Sequence, residues 1–81
     1  MADAKVVFEK VRELIVNQLP VKAADVKPES RLIEDLGADS ANMLILVCDM
    51  EGEFGITVDN EAITTIKTMD DAVKYLQREL A

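Results

Sequence analysis

The chain has 81 residues, 16 acidic and nine basic side chains, a formal net charge of −7 and no histidine. At 49% apolar and 31% charged residues it has the composition of a folded domain, and its longest apolar run, residues 43–48, is far below the roughly 20 residues that cross a bilayer. The acidity excludes nucleic acid as a partner, because a phosphate backbone requires clustered Lys and Arg, and it favours proteins with basic docking surfaces.

The length fits one domain over residues 1–81. A single cysteine, Cys48, forbids an internal disulfide and makes a cytoplasmic setting the expectation. Without histidine the usual zinc ligand sets are missing, and the acidic segment "DNEAITTIKTMDD" lacks the spacing of an EF-hand, so no metal is expected. The N-terminal "MADAKVVFEK" carries charges before any long apolar stretch and does not read as a signal peptide. Nothing in the sequence calls for an oligomer, so a monomer without membrane insertion is expected.

The first predicted element is a helix over residues 3–19. Val7, Phe8, Val11, Leu14, Ile15 and Leu19 lie on one helical face, Asp3 suits the N-cap and Pro20 ends the helix. Residues 20–38 form a long connection containing both prolines. A loop of this length needs anchors in a compact domain, and Val21, Val26, Leu32, Ile33 and Leu36 are the candidates.

A second helix is predicted over about residues 40–53. Met43, Leu46, Val47, Met50 and Phe54 share an arc of roughly 100° and form its core face. Gly55 suits a left-handed C-terminal residue. The run "ITV", residues 56–58, is too short to read as a strand. A short helix is predicted over residues 59–66, capped by Asp59 or Asn60. The last helix, about residues 69–79, opens with a start like a capping box at Thr68 and Asp71, and Met69, Ala72, Val73, Leu76 and Leu80 share one face. The expected fold is all-α: a small bundle of three main helices plus one short helix, with a long first loop.

The chemistry centres on "EDLGADSANML", residues 34–44, where Ser40 follows Asp39 at a helix start. A nucleophilic serine needs a base; there is no histidine, and no lysine lies between Lys27 and Lys67. "GADSA" is also not the G-x-S-x-G elbow. Self-contained catalysis is therefore not expected. Two readings stay open. Ser40 can cap the helix with its own oxygen. Alternatively, it can be a modification site, since unpaired N–H groups at a helix start favour an attached phosphate ester.

The segment "SRLIEDLGADSANMLILVCDMEGEFGITV" resembles the acyl carrier protein family, whose hallmark is E-D-L-G-x-D-S-L. "NQLPV", "DVKPES" and "ITTIKTMDDAVKYL" extend the resemblance over nearly the whole chain. It implies that Ser40 bears 4′-phosphopantetheine, drawn from coenzyme A by a separate phosphopantetheinyl transferase. The arm's thiol would hold acyl groups as thioesters for fatty-acid, lipid or polyketide enzymes. An amino-acyl or peptidyl carrier, or an unmodified scaffold with the carrier fold, are the alternatives.

The chain departs from the family pattern beside the serine. Ala41 stands for the usual leucine, Asn42 for an acidic residue, and Ile45 for the next acid along the helix. Measured from Met43, Ala41, Ile45 and Cys48 sit about 160°, 200° and 140° round the helix, opposite the core face. Glu51 flanks this stripe on one side, Asp49 and Glu53 on the other. With Asp39, these residues are the expected recognition face of a specialised carrier, unless the short helix covers it. Cys48 is read as a small apolar residue and not as a nucleophile.

Overall fold

The computed structural model describes residues 3–80. Four helices follow in order: α1 (Ala4–Gln18), α2 (Ser40–Phe54), α3 (Asn60–Thr65) and α4 (Met69–Leu80). A 3₁₀ turn, Ala23–Asp25, lies in the first loop and was not expected from the sequence. The described residues contain no strand beyond an isolated antiparallel bridge between Arg31 and Thr68.

Helix α1 starts where Asp3, in extended conformation, accepts a hydrogen bond from the Lys5 amide at 2.9 Å. Its buried stripe is Val7, Val11 and Ile15, spaced four apart, while Phe8 and Leu14 are half-buried at its margins. It packs most extensively against α4 and next against α2. Helix α4 brings Met69 and Leu76, both fully buried, and Tyr75, which the helical pattern had not marked as core. Truncating a residue as enclosed as Ile15 to alanine removes about 2–5 kcal/mol of stability.

The first loop is held down by more than apolar anchors. Val26, Leu32 and Leu36 are buried as expected, and Val21 packs against the core as a partly buried residue. Ile33 is 58% exposed, so it is not an anchor. Residues 31–36 form overlapping turns, with the Leu36 amide donating to the Arg31 carbonyl and the Ala38 amide to that of Leu32. This winding turns Leu32 and Leu36 inward and leaves Ile33 outward. The loop also pairs with the start of α4. Leu32 N donates to Lys67 O at 2.9 Å, Met69 N to Ser30 O at 3.0 Å and Asp70 N to Pro28 O at 2.8 Å. Buried Ser30 completes the tie, accepting from the Lys27 amide at 2.9 Å.

Helix α2 ends at Gly55, whose φ of 67° provides the left-handed cap. Its inward face is Met43, Leu46, Val47 and Met50, with Phe54 half-buried. Helix α3 packs lightly, through half-buried Ala62 and Ile63, and makes no side-chain cap at Asp59.

The capping box at α4 is formed as the sequence implies. Thr68 N donates to the Asp71 carboxylate at 3.1 Å, and Asp71 N donates to Thr68 Oγ1 at 3.1 Å. Partial burial pushes the Asp71 carboxyl up, but the hydrogen bonds donated by the Lys67 and Thr68 amides outweigh this. The Thr68 side chain and the Lys74 charge add to them and hold it below the usual aspartate range. A carboxyl lowered in the folded state stabilises the fold fully above its unfolded-state range, and that contribution is lost as pH falls through the folded-state value. Asp71→Ala should therefore cost about 1 kcal/mol at neutral pH. The gap to the wild type in urea melts should narrow as the solution is acidified through the carboxylate range; a gap that stays constant would contradict the capping role.

Candidate functional site

Chain direction into α2 is set by Gly37, whose φ of 78° is a left-handed conformation that strains other residues. Ala38 is then buried, and Asp39 takes the extended N-cap conformation. The Asp39 carboxylate accepts from Asn42 N at 2.8 Å, and the Asn42 side chain accepts from Asp39 N at 3.1 Å. The cap is therefore Asp39 and not Ser40, because the extended residue lies one position earlier. Ser40 is the first residue of α2 and is exposed.

This gives Asn42 a structural explanation. As the third helical residue it completes the capping box as an acidic side chain would, but without a charge. A tie from α1 steadies the same turn: Gln18 Nε2 donates to Asn42 O at 2.9 Å. The Gln18 Oε1 atom is buried without a partner.

Ala41, Ile45 and Cys48 are all exposed, Ile45 by 51%. Helix α3 does not cover this stripe. Leu44, 57% exposed, widens the apolar surface toward α3 and had not been singled out from the sequence. Asp49 and Glu53 are exposed on one flank, and Glu53 pairs with Lys10 of α1 at 2.9 Å. Glu51, on the other flank, is half-buried and accepts from the Val58 amide at 2.8 Å. It thereby fastens the link between α2 and α3.

Ser40 opens onto a groove of about 740 Å³ between α2, the first loop and the link from α3 to α4. Ile33, Leu44, Ile63 and Ile66 give it apolar walls, and Lys67 and Thr68 a polar side. The exposure of Ile33 and Leu44 follows from this groove. No sequence signal told which edge of the α2 core arc would be left uncovered. At the rim, Arg31 is fixed by Asp35, through Nη2 at 3.2 Å and its amide at 2.8 Å, and by Glu34. Arg31, through the hydrogen bonds of its guanidinium and then that of its backbone amide, holds the Asp35 carboxyl below its usual range.

The arrangement offers an exposed primary hydroxyl with no capping duty, at a helix start, beside an apolar groove. It suits a tethered group whose root is anionic and whose body is apolar.

Comparison with known proteins agrees. The family model of the phosphopantetheine attachment site matches residues 9–76. The acyl carrier protein of Thermotoga maritima is 41% identical over 80 residues, covering 99% of both chains. That of Helicobacter hepaticus is 47% identical over 70 residues, covering 86% of this chain and 92% of its own. The solved acyl carrier protein of Enterococcus faecalis superposes with a TM-score of 0.81 at 29% identity, covering 96% of this chain and 99% of that one. With the family model matched over most of its length and such relatives along nearly all of it, the chain belongs to the acyl carrier protein family, whose cofactor is 4′-phosphopantetheine.

Proposed function

We propose that the chain is a single carrier unit, residues 1–81, in which Ser40 is the attachment point of 4′-phosphopantetheine. The observation that carries this is the exposed Ser40 hydroxyl, released from capping by the Asp39–Asn42 pair and opening on the groove. The bound arm supplies a terminal thiol on which acyl groups ride as thioesters. The protein contributes position and shelter. Asp39, Asn42 and Gln18 hold the first turn of α2 so that the hydroxyl reaches outward to a phosphopantetheinyl transferase. Ile33, Leu44, Ile63 and Ile66 offer apolar walls to the cargo. The chain has no histidine to act as a base against the thioester. The described residues include no helix long and apolar enough to cross a membrane, consistent with a carrier that moves between enzymes in the cytoplasm.

The partners in this reading are the transferase and acyl-handling enzymes with basic and apolar docking surfaces. The stripe of Ala41, Ile45 and Cys48, with Asp49 and Glu53 at its edge, is the proposed recognition face. The neutral Asn42 leaves the cap intact while removing a charge that the family pattern places beside the serine. This supports a specialised carrier with a partner that reads apolar contact there.

Incubation with coenzyme A and a broad-specificity transferase should add one phosphopantetheinyl group by intact mass, and Ser40→Ala should gain none. An unchanged wild-type mass with several transferases would favour the unmodified scaffold. Thiol counting does not substitute for mass, because Cys48 is itself an exposed free thiol.

Ile45→Glu tests partner choice. At an exposed position it should change stability by about 0.5 kcal/mol or less. Burying such a side chain in a partner contributes about 1.5–3 kcal/mol, so the substitution should weaken binding to the dedicated partner roughly ten- to a hundredfold. Turnover by a general fatty-acid-synthesis enzyme should rise when both forms carry the same acyl group. Unchanged turnover and affinity would remove Ile45 from the interface.

A further inference from the structure

Lys67 is an exposed basic residue on the wall of the groove that Ser40 also lines. Three other basic side chains are ion-paired within the chain: Lys10 with Glu53, Arg31 with Glu34 and Asp35, and Lys74 with Asp70. Lys67 lines the same groove as Ser40 and has no carboxylate at ion-pair distance among the described residues. The groove's own acids are engaged elsewhere. Glu34 faces Arg31, and Asp71 accepts from the Lys67 and Thr68 amides. The Lys67 backbone is pinned on both sides, its amide to Asp71 at 3.1 Å and its carbonyl by Leu32 N at 2.9 Å. An exposed cation is thus presented from a fixed backbone position toward a groove with an otherwise committed charge set.

We propose that the Lys67 ammonium pairs with the phosphodiester that joins the arm to Ser40, so that it holds the charged root of the arm on the groove wall opposite α2. The inference rests on Ser40 being the attachment point. Its physical motive is the net charge of −7, which repels a further anion at Ser40 beside Asp39. A local cation offsets that repulsion. Tethering makes the encounter intramolecular, so even a weak, solvent-screened pair is populated.

The test is a thermodynamic cycle of wild type, Lys67→Ala and Lys67→Arg, each melted with and without the arm at low ionic strength. Without the arm the wild-type and alanine melts should coincide, because Lys67 has no partner to lose. With the arm, the alanine variant should melt about 1–5 °C below the wild type, and arginine should restore most of the difference. High salt should erase it. The ³¹P resonance of the phosphodiester should also move between wild type and Lys67→Ala. If attaching the arm shifts both melts equally and leaves the resonance unmoved, the pairing is wrong while Ser40 remains the attachment point. If no mass is gained at Ser40, both readings fall together.

Discussion

Two backbone hydrogen bonds organise the molecule: Leu32 N to Lys67 O and Met69 N to Ser30 O, at 2.9 and 3.0 Å. They join a loop near residue 31 to a link near residue 68, across the only short stretch where two extended segments meet among the described residues. Without them the first loop would be a long connection with unsatisfied polar backbone near the core, which is costly. With them, Leu32 and Leu36 drop into the core cluster that also holds Met69 and Leu76. The same pairing places Arg31 and Ile33 opposite Lys67 and Thr68, and so builds one wall of the groove. The fold and the site therefore share a single constraint.

The start of α2 shows how work is divided among neighbouring residues. Capping is done by Asp39 and Asn42, orientation by the Gln18 contact, and Ser40 is left with no structural obligation visible in its surroundings. An exposed hydroxyl outside the hydrogen-bond network that holds the helix can change its chemistry without loosening the helix start. If the hydroxyl were the cap, modification would remove that hydrogen bond. The exchange of an acid for Asn42 illustrates the same separation. The geometry of the cap depends on a side-chain oxygen, whereas the field seen by a partner depends on charge, and asparagine keeps the first while dropping the second.

Charge in this protein has a long-range and a short-range meaning. The excess of acids sets the sign of the field that an approaching enzyme meets. Within a few ångströms, individual pairs matter more: Lys10 bridges α1 to Glu53 of α2, and Lys74 stays on its own helix with Asp70. These exposed pairs add little stability. At the groove they matter more: of its two basic residues Arg31 is held by Glu34 and Asp35, while Lys67 carries no ion pair among the described residues. Helix α3 completes the picture as a lightly packed wall, tied back through the Glu51–Val58 contact and not through a large interface.

The helices of this protein were legible in its sequence because their signals are local. The stripe of Val7, Val11 and Ile15, the Thr68–Asp71 box and the glycine after Phe54 act within a few turns of the chain, and each is found where the sequence placed it. Ser40 and the outward stripe of Ala41, Ile45 and Cys48 were legible for the same reason, once the periodicity of α2 was known. What the sequence alone left open were matters of long-range contact. That Ile33 turns outward, that Leu44 is left uncovered, and that Glu51 reaches the Val58 amide all depend on how the first loop and α3 lie against α2. Asp39 rather than Ser40 became the cap because one residue's backbone is extended, a choice made by the Gly37 turn and the burial of Ala38. The groove is the clearest case. Its walls come from residues 31 to 71, and only the packing of distant segments brings them together.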